Sequence, residues 1–154
     1  RLQKIADGAA DATFLAYAGL RRLGRASAAD HVLDVDEMLP AAGQGIIAIT
    51  CRADDASAVT ALQAISDASA TTCLRAERAM LDALDGTCHT PIAGLATLKN
   101  GQLHLSGLAA WPDGHGLVRL SRRGTADAPE ALGAALGTEL RARMGSGFFA
   151  ALAD

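Results

Sequence analysis

The tripeptide Lys99-Asn100-Gly101 constrains this chain more than any other feature. Asn-Gly accepts positive φ at both central positions of a two-residue turn, and that geometry matches the twist of paired antiparallel strands. Before it lies the run Ile92 to Leu98. After it, Gln102 to Trp111 alternates Leu103 and Leu105 with His104 and Ser106, the period of a strand with one buried face. Pro112-Asp113-Gly114 supplies a second turn, and Leu117 to Arg123 alternates again. The pattern predicts a three-stranded antiparallel meander.

Helices flank it. Residues 70–84 put Cys73, Leu74, Ala76, Met80, Leu81 and Leu84 on one broad face, with Arg75, Arg78 and Asp82 largely elsewhere. Pro129 suits the first turn of a closing helix that carries Leu132, Leu136 and Leu140 and ends near Gly145. Residues 67–154 therefore read as a small α+β domain with helices over one sheet face.

Residues 1–66 follow a different plan. Asp11 to Tyr17 and Ile46 to Cys51 are predicted as buried strands. A short helix is expected to end at Gly24, and another to run from an Asp54 or Asp55 cap to about Ile65. Two isolated strands cannot cover both faces of a parallel sheet, so this part reads as a piece of a larger α/β domain. The chain opens Arg-Leu-Gln-Lys, without an initiator Met, which fits a fragment or processed product and equally a trimmed chain that lacks nothing important.

Composition excludes some functions. A net charge of −3 gives no basic field for nucleic acid. No apolar run approaches the ~20 residues that span a bilayer. Three widely spaced cysteines fit reduced thiols in the cytoplasm better than a disulfide framework.

The chemistry centres on Cys88, in Leu84-Asp85-Gly86-Thr87-Cys88-His89-Thr90-Pro91-Ile92. A helix stopped at glycine and followed by proline puts this thiol on a short, stiff loop. A thiolate is a strong nucleophile, yet a lone loop cysteine is more simply structural. A hydrolase needs a positioned base, and His89, next in an extended loop, points to the opposite face. Cys51, Cys73, Cys88 and His89 form no Cys-x-x-Cys pair, which disfavours zinc. Arg1, Lys4, Arg21, Arg22 and Arg25 suit carboxylates, although composition alone favours a solvated helix face. Gly43-Gln44-Gly45 lets backbone approach a ligand closely, and a turn explains it equally well.

Several segments combine in order: Arg1-Leu2-x-Lys4, Asp11-Ala12 through Ala16, Ala18-Gly19-Leu20-x-Arg22-Leu23-Gly24, and Leu39-Pro40-Ala41-x-Gly43-Gln44-Gly45. Cys51-Arg52, Ala76-Glu77-Arg78-Ala79 and Gly86-x-Cys88-x-x-Pro91-Ile92 follow. Over essentially its whole length the chain resembles the porphobilinogen deaminase (hydroxymethylbilane synthase) family. The resemblance implies two α/β domains like those of periplasmic binding proteins and a third, small α+β domain. Residues 1–38 would end the second domain, 39–66 would return towards the first, and 67–154 would form the third.

It also implies a cytoplasmic transferase of tetrapyrrole (porphyrin, heme) biosynthesis. Such an enzyme condenses four porphobilinogens into hydroxymethylbilane with release of ammonia. A dipyrromethane cofactor, held by a thioether at Cys88, serves as primer. Porphobilinogen without its ammonia is an electrophilic azafulvene that a soft thiolate can capture. The pyrroles carry acetates and propionates, which call for cationic partners. The resemblance assigns Arg1 and Arg22 to cofactor and pyrrole carboxylates and Gln44 to the substrate cleft, leaving Arg21 and Arg25 without a motif. It implies no metal, and a usually monomeric full-length enzyme. The family's catalytic aspartate lies in the first domain, so no catalytic residue is expected in this chain. The expected partners are porphobilinogen, pyrrole-chain intermediates and the N-terminal portion of the same protein. The alternative reading is a non-enzymatic module that binds a dicarboxylate through its arginines.

Overall fold

The turn at Asn100-Gly101 takes the conformation its residues favour, with φ of 50° and 76°. It joins β1 (Ile92–Lys99) to β2 (Gln102–Ala110), and β3 (Leu117–Thr125) follows. The computed structural model describes residues 1–85 and 90–151, with side chains as far as Phe148. The three strands form one antiparallel sheet in the order β1-β2-β3. Register sets Leu98 opposite Leu103, and Gly94 opposite Gly107.

The period-2 pattern of β2 is its burial pattern: Leu103, Leu105, Gly107 and Ala109 face inward. Two helices, α4 (Ala68–Ala83) and α5 (Pro129–Ala151), complete the core on that side. Ala76, Met80, Leu84, Leu136 and Leu140 meet Leu103 and Leu105 there, all fully buried. The start of α4 is fixed by Asp67, whose carboxylate accepts from the Ala70 amide at 2.9 Å. At the start of α5, Pro129 gives up an N–H that the first turn would not have used. That helix breaks at Gly145 (φ 74°, ψ 174°), and the chain beyond it brings Phe148 edge-on to Trp111 at 5.5 Å. A second patch of core forms there, from Ala109, Met144 and Phe148.

Missing side chains shape this core. Gly133 and Gly137, one turn apart on α5, lie against Ala76, Ala79, Met80 and Ala83 of α4. A Cβ on Gly137 would fall 2.5 Å from the Met80 carbonyl oxygen and 2.8 Å from the Ala83 Cβ. The Met80 side chain rests on Gly94 and Gly107, and a Cβ on Gly107 would meet its sulfur at 2.5 Å. Glycine lets the two helices and the sheet close around one thioether.

The chain divides into two compact units, Arg1–Met38 and Leu39–Asp154. The first holds α1 (Leu2–Ala6), α2 (Tyr17–Arg22) and a 3-10 turn at Ala26–Ala28. The second opens with a loop and α3 (Ala56–Ala64), capped by Asp55, whose carboxylate accepts from the Ala58 amide at 3.0 Å.

Two expectations are corrected here. Neither 11–17 nor 46–51 is a strand: residues 11–16 are irregular, α2 begins at Tyr17, and 46–51 has no regular structure. Phe14 is 71% exposed and Ile47 86%. A strand exists only through a ladder of hydrogen bonds to a neighbour, and neither run has one among the described residues. No described helix is long and apolar enough to cross a membrane.

Candidate functional site

The loop Leu39–Gly45 is held by contacts distant in sequence. Leu39 is buried, and the Pro40 carbonyl accepts from the Gly94 amide at 2.9 Å. Glu77, on α4 and only 6% exposed, supplies the strongest ties. One of its carboxylate oxygens accepts from the Gly43 amide at 2.6 Å, the other from the Ala96 amide at 2.7 Å. These short, charge-assisted bonds offset the cost of burying the carboxylate. Gln44 is exposed on a turn in which its amide donates to the Ala41 carbonyl at 3.0 Å.

Glu77 is a residue that sequence reasoning missed as a structural centre. A signal was present: Cys73, Glu77, Met80 and Leu84 recur at helical spacing, so the acid lies on the apolar stripe of α4.

Cys88 lies outside the described residues, together with residues 86, 87 and 89. Both flanks of that segment are tied down. Asp85, at φ 50°, pairs with Arg141 of α5 at 2.5 Å. On the far side the Pro91 carbonyl accepts from the Ala110 amide at 3.0 Å. Of the other two cysteines, Cys51 is exposed, while burial, and then the nearby Glu77 carboxylate, push the Cys73 thiol up. A raised thiol carries little thiolate at neutral pH, which makes Cys73 a poor nucleophile.

In the first unit Arg1 precedes α1 and Arg22 ends α2, both exposed. Neither guanidinium has an ion-pair or hydrogen-bond partner among the described residues. Arg1 and Arg25 line one open cavity of about 570 Å³ with Leu2, Leu15, Leu20 and Leu23, and Arg22 does not line it. The structure thus groups Arg1 with Arg25, which no motif had singled out. A second cavity, of about 510 Å³, is lined by Leu2, Ile5, Phe14, Tyr17 and Leu33. Gln44 belongs to the other unit.

Comparison with known proteins gives these residues a context. Residues 1–60 match the family model described as "Porphobilinogen deaminase, dipyromethane cofactor binding domain", and residues 71–142 match "Porphobilinogen deaminase, C-terminal domain". The porphobilinogen deaminase of Paracoccus denitrificans (strain Pd 1222) is 48% identical over 149 residues, covering 97% of this chain and 48% of that protein. That of Sorangium cellulosum (strain So ce56) is 46% identical over 92% of this chain and 48% of its own length. A relative from Oryza sativa subsp. japonica, "Porphobilinogen deaminase, chloroplastic", is 43% identical over 99% of this chain and 43% of its own length. The chain spans about half the length of the relatives it matches. With two adjacent models of one family matching in order and this identity running along nearly all of it, the chain belongs to the porphobilinogen deaminase family.

Proposed function

We propose that this chain is the C-terminal portion of an enzyme that condenses four porphobilinogens into hydroxymethylbilane and releases ammonia. The observation that carries the reading is the match of residues 1–60 to a dipyrromethane-cofactor-binding model, followed by the C-terminal model. Residues 1–38 end the family's second domain, 39–66 lead back towards the first, and 67–154 form the third. The larger α/β domains to which residues 1–66 would contribute then have the architecture of a periplasmic binding protein. Apolar side chains such as Phe14 and Ile47, exposed here, support a larger domain that completes their burial.

Cys88 holds the dipyrromethane through a thioether in this reading. When bound, the cofactor supplies the fixed pyrrole end from which the product chain is extended. Its acetate and propionate groups need cations, and Arg1 and Arg22, exposed and unpaired among the described residues, fit that need. Arg1 and Arg22 bind cofactor carboxylates, Arg22 also binds those of the incoming substrate, and Gln44 donates or accepts hydrogen bonds at the pyrrole cleft. The general acid–base carboxylate comes from the rest of the protein, so this chain alone is inactive. The full-length enzyme works as a monomer in this reading, in a reducing cytoplasm with which the free thiols of Cys51 and Cys73 are in keeping.

The test uses the full-length protein. Its intact mass carries a dipyrromethane adduct that maps to Cys88, and Cys88→Ser abolishes the adduct. Arg22→Leu lowers the rate of chain elongation at least about tenfold, because a desolvated carboxylate loses a charge-assisted bond worth roughly 1.5–3 kcal/mol. An unmodified Cys88 in protein that turns over, or unimpaired elongation by Arg22→Leu, refutes the corresponding assignment.

A further inference from the structure

We infer that Glu77 is a positioning residue, which sets the placement of Gln44 by clamping its loop to α4 and β1. The inference rests on the proposed role of Gln44 in the substrate cleft. Gln44 stands between Gly43 and Gly45, at φ 73° and 84°. Glycines on both sides leave a wide conformational range, so the local sequence does not fix where the Gln44 side chain is presented. A tie from outside the turn has to do so.

That tie is the bond from the Gly43 amide to Glu77, at 2.6 Å. It is a hydrogen bond to a charged group in a site nearly closed to water, where such bonds are strongest. The second oxygen of the same carboxylate takes the Ala96 amide at 2.7 Å, so the carboxylate cannot turn towards the loop without breaking its bond to the sheet. The Pro40 carbonyl, bonded to Gly94, fixes the upstream end of the loop two residues along the same strand. Leu74, one turn before Glu77 on α4, lies against Gly43 and restricts movement on that side. Loop, helix and strand therefore move together, and Gln44 inherits its position from Glu77.

Chemistry separates this role from simple support. A carboxylate accepts two amide hydrogens, whereas a carboxamide of the same shape accepts on its oxygen only and turns an N–H donor towards the other amide. Glu77→Gln keeps the volume and removes one of the two ties. Glu77→Asp keeps the charge but is one methylene short of spanning both amides.

The experiment uses the full-length enzyme with its cofactor assembled. Amide exchange is followed at Gly43 and Ala96 by NMR, beside Michaelis constants for porphobilinogen. In the wild type the Gly43 amide exchanges at least about tenfold slower than an exposed loop amide. Glu77→Gln and Glu77→Asp speed its exchange by about tenfold or more and raise the Michaelis constant several-fold, while the Cys88 adduct is retained. Rapid exchange at Gly43 in the wild type overturns the proposal, and needs no variant to fold. Slow exchange at Gly43 in both variants overturns it, as does a loosened Gly43 with unchanged kinetics. Gln44→Ala provides the separation: if it leaves turnover intact, the substrate role of Gln44 fails, while the exchange data still report whether Glu77 holds the loop.

Discussion

Gly137 of α5 packs directly against the backbone of α4. In an exposed helix, exchanging glycine for alanine gains roughly 1 kcal/mol of helix propensity. Here the new methyl group would meet the backbone of α4, with the Met80 carbonyl oxygen 2.5 Å away. Backbone cannot swing aside as a flexible side chain can, so the clash outweighs the gain. Gly137→Ala is expected to destabilise the chain by about 1–3 kcal/mol, read as a lower urea midpoint at unchanged slope. Glu77 teaches a related lesson about legibility. Its helical phase with Cys73 and Met80 is visible in the sequence, but its two partners lie 34 residues before it and 19 after it. Pairings at that separation come from the fold, and periodicity carries no record of them.

Among the elements, local chemistry decided what could be read. Asn100-Gly101 and the alternation of Leu103 and Leu105 specify turn and strand within a few residues, and the structure matches both. The runs 11–17 and 46–51 have strand composition, but a ladder needs a second strand that their own residues cannot supply. The β2–β3 connection carries a prediction of its own. Asp113 accepts from the His115 amide at 3.1 Å and contacts its ring Nδ1 at 2.5 Å. The backbone hydrogen bond first, and the imidazole second, hold the Asp113 carboxyl below its ordinary value of 3.8. A depressed carboxyl stabilises the folded turn above that value and loses its effect as pH falls through the lowered one. Trp111, the sole tryptophan, stacks on His115 at 4.6 Å and reports the turn. Its emission is expected to show an acid step below pH 3.8, and Asp113→Asn should remove that step.

At the level of the whole molecule, the unit Leu39–Asp154 contains every residue of both core patches. A chain of residues 39–154 is therefore expected to fold by itself, with an unfolding free energy from urea titration within about 0.5 kcal/mol of the longer chain's, the range typical of changes remote from a core. Loss of cooperative unfolding on removing 1–38 would contradict this. The proposal at Cys88, which lies outside the described residues, rests on several short segments agreeing in order, since a single thiol on a loop has no pattern of its own. The Pro40 and Glu77 contacts have one more consequence. The outward amides of Gly94 and Ala96 are already spoken for, so this margin of the sheet has few donors left to offer a strand from another molecule. The opposite margin, β3, bears Arg119, Arg122 and Arg123, charged side chains of the kind that blunt a sheet edge, with Arg122 paired to Glu139 of α5 at 2.9 Å. A sheet closed on one side by its own loop and charged on the other resists growing edge to edge, which guards the protein against fibrous aggregation while it is crowded or newly made.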